Sequence, residues 1–301
     1  MMATGIDLGG TKIETQIFDA DWSVVARQRV ATPATYSDLV AAIVDQIAWA
    51  DAQSGAPLSV GIGAAGLVNP ATGHALTANL PATGRPFPAD IAKGAGRTVT
   101  YVNDCRALAL SEALFGAGQG HHTVMSLILG TGIGGGIAVG GQLLQGPTAM
   151  SGEFGHTSAA ASVVADHGLP IFECGCGRRG CIETYLAGPG LSRLARHLTG
   201  QTVTPADIAA RRHDDMAQVW LVWCAFAGEF IHSLTLTADP DVIVLGGGLS
   251  NISGIVEDMT AAAQHVQIGD FGTPPIVLAT GGDASGARGA AYAGWLEQSH
   301  D

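Results

Sequence analysis

A strand, a glycine turn and a second strand follow one another twice in this chain. The first copy joins the apolar segment 3–8 to the alternating segment 12–19 through Gly9-Gly10. The second joins 124–129 to 137–139 through Gly130-Thr131-Gly132, about 120 residues later. Such a duplication predicts two related lobes that face one another, which restricts the fold more than any single motif does.

The length and the element pattern agree with two α/β lobes. A chain of 301 residues exceeds the size at which one core usually stops growing. Apolar strands alternate with helical patterns, at 36–53, 104–116, 216–238, 252–265 and 285–296. We expect an N-terminal lobe at 1–115, joined by the C-terminal helix 285–301, and a C-terminal lobe at 116–284 that carries a loop at 151–186.

Composition restricts the classes of partner. The net charge is −12 and only 14 residues are Lys or Arg, which argues against binding nucleic acid. The sequence has 47% apolar and 13% charged residues, as a well-buried protein does. No run reaches the roughly 18 apolar residues that a membrane span needs. The first residues lack the basic and apolar stretches of a secretory signal, so we expect a cytoplasmic protein without a membrane role.

The turn Asp7-Leu8-Gly9-Gly10-Thr11-Lys12 has the chemistry of a phosphate site. Backbone amides without Cβ atoms approach phosphate oxygens closely, and Thr11 and Lys12 add a hydroxyl and a positive charge. Asp7, at the end of a strand, suits Mg²⁺. A plain glycine hairpin explains one such turn equally well. The later turns Gly130-Thr131-Gly132 and Gly246-Gly247-Gly248 also follow apolar strands, and together the three predict a site for ATP.

Asp104 follows the strand pattern 98–102 and begins a helix pattern. From spacing alone, the favoured interpretation of this carboxylate is a helix N-cap.

Three of the five cysteines, Cys174, Cys176 and Cys181, lie within eight positions. In a reducing compartment this spacing favours a metal site over disulfides, and structural zinc takes four tetrahedral ligands. Spacing leaves both His156 and His167 open as the fourth ligand. Cys105 and Cys224 lie on helix patterns and are interpreted as core residues.

Four motifs in order resemble the ROK family of bacterial sugar kinases and repressors over nearly the whole chain. They are Asp7-x-Gly9-Gly10-Thr11-Lys12, Leu129 to Gly136, Gly152-Glu153-Phe154-Gly155-His156 and Cys174-Gly175-Cys176-x₃-Gly180-Cys181-x-Glu183. The resemblance implies an actin-like ATPase (ribonuclease H-like) fold, as in hexokinase and actin. It implies ATP, Mg²⁺ and a structural Zn²⁺ held by His156, Cys174, Cys176 and Cys181. It also allows a homodimer.

The resemblance also assigns roles around a sugar. Asp104 matches the general base that takes the proton from the sugar 6-hydroxyl, and Asn103 matches a ligand of the 3- and 4-hydroxyls. Glu153, His156 and Glu183 match residues that read the C1 and C2 side. The complete expected sugar set is Asn79, Asn103, Asp104, Glu153, His156 and Glu183.

Within the family the chain most resembles the bacterial N-acetylglucosamine kinases, through segments such as 78–82, 180–186 and 282–291. Ala65, where the family commonly has proline, is a departure that affects the sugar-side loop. Glucose and N-acetylmannosamine are alternative substrates. A transcriptional repressor is a further alternative, disfavoured because family repressors carry a DNA-binding segment before the first glycine turn. A sugar-binding protein without chemistry is disfavoured by Asp104 and the three turns.

Overall fold

The computed structural model describes residues 2–282 and 285–299. Asp283 and Ala284, from the quoted segment 282–291, and the last two residues of the predicted helix 285–301 lie outside the described residues. The chain forms two compact units. One comprises Met1–Gly120, Gly136–Gly152 and Thr280–Asp301, and the other comprises His121–Gly135 and Glu153–Ala279.

The strands form two five-stranded sheets and one small hairpin. They are β1 (Ala3–Leu8), β2 (Lys12–Phe18), β3 (Val24–Ala31), β4 (Ser59–Ala64), β5 (Leu67–Val68), β6 (Ala75–Leu76), β7 (Thr100–Asn103), β8 (Thr123–Leu129), β9 (Ile133–Val139), β10 (Gln142–Leu143), β11 (Val242–Gly246) and β12 (Ile276–Leu278). The sheet orders are β3-β2-β1-β4-β7 and β10-β9-β8-β11-β12, and the hairpin is β5-β6.

The helices follow the apolar periodicity of the sequence. They are α1 (Tyr36–Ser54), α2 (Phe87–Ala95), α3 (Asp104–Phe115), α4 (Ala161–Asp166), α5 (Glu183–Leu186), α6 (Gly188–Thr199), α7 (Pro205–Ala210), α8 (Ala217–Ala238), α9 (Ile255–Val266) and α10 (Ser285–Gln298). Short 3₁₀ helices lie at Phe154–His156 and Gly248–Asn251. The predicted α/β class is confirmed.

In the first unit, helices cover both faces of the first sheet. β1 pairs antiparallel with β2 and parallel with β4, which pairs parallel with β7. On one face, Ile6 and Leu8 of β1 pack in a core with Leu39 and Ile43 of α1 and Phe87 of α2. Neighbouring residues of a strand face opposite sides of the sheet. The residues of β1 that alternate with Ile6 and Leu8 therefore face the opposite side.

Glycines let helix α10 lie directly on the other face of that sheet. A Cβ on Gly5 would lie 1.9 Å from the carbonyl oxygen of Ala287, and one on Gly61 would lie 1.7 Å from that of Ala290. Real side chains do not fit at such distances, so β1 and β4 need glycine at these points. Backbone packing of α10 explains why strands so rich in glycine are stable.

In the second unit, β11 pairs parallel with both β8 and β12. The 22-residue helix α8 buries Trp223 completely, and its indole N–H donates to the carbonyl oxygen of Leu186 at 2.9 Å. By length and composition α8 could cross a membrane, but 56% of its most apolar window is buried inside the protein. Its hydropathy is that of a core helix.

Two predicted element starts differ from the structure by three residues or more. β9 begins at Ile133, whereas we expected it at residue 137, so residues 133–136 belong to the strand. A Cβ on Gly135 would lie 2.1 Å from the carbonyl oxygen of Ser126, so these glycines allow close strand packing. Helix α9 begins three residues later than predicted, after Gly254 with φ 81°.

Candidate active-site residues of the two units

The first glycine turn is a closed backbone loop between β1 and β2. The N–H of Gly9 donates to the carbonyl oxygen of Lys12 at 2.9 Å, and the Thr32 hydroxyl donates to that of Gly9 at 2.7 Å. A Cβ on Gly10 would lie 2.9 Å from the Cβ of Asn79, the residue expected to contact sugar on this side. The turn therefore lies in contact with the loop that carries Asn79.

A charge network that sequence reasoning missed surrounds Lys12. The Lys12 ammonium lies 3.6 Å from Glu14 Oε2, and Arg29 Nε donates to the same oxygen at 2.7 Å. Glu14 is only 2% exposed. Burial acts to raise the pKa of Glu14, but hydrogen bonds from Gln16 and Arg29 outweigh it and hold the pKa below its ordinary value. Glu14 of β2 and Arg29 of β3 are cross-strand partners. This pairing can be predicted only when the register of the two strands is known.

Asp7 is an unusual carboxyl group. Its burial and the neighbouring negative charge of Asp104 raise its pKa from 3.8 to about 6, against the opposing charge of Lys12. A carboxylate held beside another negative charge at a strand end is a good partner for a divalent cation, because the cation compensates both charges. The carboxyl group of Asp7 fits the expected role of a Mg²⁺ ligand.

Asn103 and Asp104 have different roles at the start of α3. Asn103 is the N-cap: its Oδ1 accepts the N–H groups of Cys105 and Arg106 at 3.0 and 3.3 Å, and its Nδ2 donates to the carbonyl oxygen of Gly66 at 3.1 Å. The interpretation of Asp104 as the N-cap is therefore wrong. Asp104 is the first helical residue, and its Oδ1 accepts the N–H of Cys105 at 2.9 Å.

The two glycine turns of the second unit lie side by side. The nearest atom to a Cβ on Gly130 would be the Gly248 nitrogen, at 4.0 Å. Gly247 has φ 86°, and a Cβ there would lie 2.5 Å from the carbonyl oxygen of Leu129. Both conditions require glycine at this position. The backbone amides of the two turns thus lie together, as a phosphate site requires.

The three clustered cysteines and His156 form one candidate metal centre. Their ligand atoms all lie within 4.8 Å of one another. Cys176 Sγ lies 3.7 Å from Cys181 Sγ, and Cys174 Sγ lies 3.6 Å from His156 Nδ1. Tetrahedral zinc with Zn–S bonds of about 2.3 Å requires ligand atoms about 3.8 Å apart. The residues fit structural zinc, and they place His156 rather than His167 in the set.

The protein environment treats the three thiols differently. Burial raises the pKa of Cys174 and of Cys181, whereas the backbone N–H of Arg178 lowers that of Cys176. Because zinc binds thiolates, the ion itself must compensate the charge of the two buried sulfurs. Arg178 also donates to the carbonyl oxygen of His156 at 3.1 Å, which holds the histidine backbone beside the cluster.

The expected sugar residues of this unit surround the His156 ring. Its Nδ1 faces the cluster, and its Nε2 lies 3.9 Å from Glu153 Oε2. Glu183 Oε1 lies 2.8 Å from Cys174 Sγ and 3.6 Å from His156 Nδ1. The structure thus brings together Glu153, His156 and Glu183, which lie up to 30 positions apart in the sequence. Carboxylates and an imidazole at this spacing can bind sugar hydroxyls.

Each unit carries a defined share of the expected residues. The first unit holds Asp7, Gly9, Gly10, Thr11, Lys12, Asn79, Asn103 and Asp104. The second holds Gly130, Thr131, Gly132, Glu153, His156, Cys174, Cys176, Cys181, Glu183, Gly246, Gly247 and Gly248.

Comparisons with known proteins cover nearly the whole chain. Residues 3–296 match the model of the ROK family. The chain is 42% identical over 298 residues to the N-acetylgalactosamine kinase AgaK of Shewanella sp. (strain ANA-3), covering 97% of this chain and 96% of that protein. It is 38% identical over 301 residues to the N-acetyl-D-glucosamine kinase of Pectobacterium atrosepticum, covering 96% and 98%.

A solved structure of similar fold contains a sugar and a nucleotide. It is a ROK family glucokinase from Streptomyces griseus in complex with glucose and AMPPNP. Its TM-score is 0.75 and its identity to this chain is 29%, over 97% of this chain and 98% of that one.

Proposed function

The chain belongs to the ROK family, and we propose that it transfers the γ-phosphoryl group of ATP to the 6-hydroxyl of an N-acetylhexosamine. The family, the actin-like ATPase fold and the class of ATP-dependent sugar kinase predicted from the sequence are confirmed. The choice of sugar and the role of each residue are the proposal.

The N-acetyl group is supported by one observation above all. The two relatives, at 42% and 38% identity over nearly full length, are both kinases of N-acetylhexosamines. N-acetyl-D-glucosamine is our first candidate substrate, because the motifs resemble those kinases. N-acetyl-D-galactosamine is the second, because AgaK has the higher identity of the two.

Asp104 serves as the general base in the proposed reaction. Its carboxylate takes the proton of the 6-hydroxyl while that oxygen attacks the γ-phosphorus, and the bond to the β-phosphate oxygen breaks to release ADP. One Asp104 oxygen accepts the Cys105 N–H, which fixes the rotamer and leaves the other oxygen for the hydroxyl. Asn103 has one Nδ2 hydrogen left for a sugar hydroxyl, because the cap and Gly66 use its other groups.

The phosphates are bound by backbone amides and by one cation. We assign the glycine turns at Gly9–Lys12, Gly130–Gly132 and Gly246–Gly248 to ATP, with Lys12 as the positive side chain. Asp7 would hold Mg²⁺, which supplies charge compensation at the phosphates when bound. Glu14 orients Lys12 through their ion pair, and Arg29 holds the Glu14 carboxylate in place.

Zinc has a structural role in this proposal. Four protein ligands leave no open position for water, so the ion braces the segment that carries Glu153, His156 and Glu183. These three residues and Asn79 bind the sugar. Because the reaction uses ATP and the zinc site needs reduced cysteines, we place the protein in the cytoplasm. A homodimer stays a prediction.

Steady-state kinetics with four sugars tests the proposal. ADP release is measured with N-acetylglucosamine, N-acetylgalactosamine, N-acetylmannosamine and glucose, and ³¹P NMR identifies the phosphorylated oxygen. We expect the highest kcat/KM for an N-acetylhexosamine, with a product phosphorylated at O6. A missing or extra group in a pocket often changes kcat/KM by only about 1–3 kcal/mol, so activity on a second sugar is compatible with the proposal. A clear preference for glucose would contradict it.

A further inference from the structure

Glu183 lies between two groups of residues that the proposed function treats separately. Its Oε1 faces Cys174 Sγ at 2.8 Å and His156 Nδ1 at 3.6 Å. Its Oε2 accepts the N–H of Ile133, the residue directly after the turn Gly130–Gly132, at 3.4 Å. The carboxylate is 19% exposed, so most of its surface is used by these protein neighbours.

The same turn touches the Glu183 segment at two further points. A Cβ on Gly132 would lie 3.1 Å from Glu183 Oε2, closer than most real Cβ contacts. The N–H of Gly188 donates to the carbonyl oxygen of Gly130 at 2.8 Å. The segment 183–188 therefore holds the turn at both of its ends.

We infer that Glu183 is a positioning residue for the phosphate turn Gly130–Ile133, in addition to its place beside the sugar residues. This inference rests on the proposed function, because that function assigns the turn to ATP. The carboxylate fixes the Ile133 N–H and limits the space beside Gly132. The direction of the turn's free amides then depends on Glu183 even when no sugar is bound.

Nucleotide binding without sugar separates this role from sugar binding. The affinity of the zinc-loaded protein for Mg²⁺-AMPPNP is measured by calorimetry in wild type and in Glu183→Ala. Loss of one hydrogen bond from a carboxylate predicts affinity weaker by about fivefold to tenfold. A residue that only reads the sugar would leave this affinity unchanged, and that result would overturn the inference. Zinc content is measured for each protein, and Glu183→Gln, which retains an amide oxygen, should show a smaller loss.

Two glycines of the same turn provide a matched pair. Gly132→Ala places a methyl group 3.1 Å from Glu183 Oε2, whereas the nearest atom to one at Gly130 is 4.0 Å away. We expect Gly132→Ala to weaken AMPPNP binding more than Gly130→Ala does. In the Glu183→Ala background the crowding disappears, so adding Gly132→Ala should have little further effect. Independent, additive effects of the two substitutions would contradict the inference.

Hydrogen exchange supplies a readout that needs no ligand. The Ile133 amide should exchange at least about threefold faster in Glu183→Ala, because its acceptor is removed. Unchanged protection would overturn the positioning role. If wild type binds AMPPNP but phosphorylates none of the four sugars, the proposed function fails. The exchange rate of Ile133 still decides the inference in that case.

Discussion

The two units build their candidate sites by different means. In the first, Asp7, Lys12 and Asp104 lie at strand ends and at a helix start. The ion pair with Glu14 orients Lys12, and the N–H of Cys105 donates to Asp104. In the second, His156 and the cysteines lie on a segment from Glu153 to Glu183 with little regular structure, held by isolated bridges such as Ser158↔Cys181. The difference predicts that chemistry depends on side chains in the first unit, whereas local folding in the second depends on a bound metal.

Removing a metal ligand should change the second unit more than any other substitution proposed below. Cys181→Ser is expected to reduce zinc from one ion per chain to nearly none, because a closed structural site needs all four ligands. Hydrogen exchange should then rise across 153–186 and stay unchanged in β1 and β4. Atomic absorption gives the zinc content. The control Cys224→Ser, which lies outside the cluster, should retain the zinc ion. If the Cys181→Ser protein also retained zinc, the cluster would not be the zinc site.

Asp104→Asn should affect chemistry without affecting the fold. We expect kcat to fall by at least about 10²-fold, the usual contribution of a general base, with little change in Tm. The asparagine oxygen can still accept the Cys105 N–H, so the helix start is retained. Asp38→Asn makes the same change in the first turn of α1 and should leave kcat unaltered. Turnover near wild type in Asp104→Asn would remove Asp104 from its assigned role.

Asp7→Asn should increase the stability of the protein measured without added Mg²⁺. The folded state raises the pKa of Asp7 from 3.8 to about 6, so folding disfavours its charged form. The contribution of Asp7 to the stability of wild type should therefore fall as pH rises from about 4 to about 6, by up to about 3 kcal/mol. Thermal unfolding at pH 4 and pH 7.5 measures this. The advantage of Asp7→Asn should be present at pH 7.5 and absent at pH 4, while Mg²⁺-dependent activity is lost.

Glu112→Gln tests how the first unit retains its C-terminal segment. The fully buried Glu112 carboxylate accepts the N–H groups of Thr280 and Gly281 at 3.1 and 2.8 Å and the hydroxyl of Ser285 at 3.0 Å. An amide can accept at only one atom, so we expect a loss of about 2 kcal/mol in the free energy of unfolding. Urea denaturation measures it. The control Glu297→Gln changes an exposed carboxylate that accepts the Thr100 hydroxyl, and it should lower the free energy of unfolding by less than about 0.5 kcal/mol. Equal losses in the two variants would contradict the prediction.

The sequence predicted the family and the fold class, which are confirmed, and the chemistry of the motifs, which stays a prediction. Glycine runs after apolar strands predict phosphate turns, and Cys-x-Cys-x₄-Cys predicts a metal site, because these depend on residue type and short spacing. The duplicated strand-turn-strand pattern predicted the two sheets for the same reason. The lobe boundaries and the roles of the sugar residues stay predictions.

Only the tertiary structure decided how distant residues meet. The pairing of Glu14 with Arg29 needs the register of β2 and β3, and the glycines of β1 and β4 are explained only by the approach of α10. His156 rather than His167 joins the cysteines, and Glu183 reaches the turn before Ile133, because folding brings these segments within a few ångströms. Spacing along a chain does not fix such distances, since packing sets them.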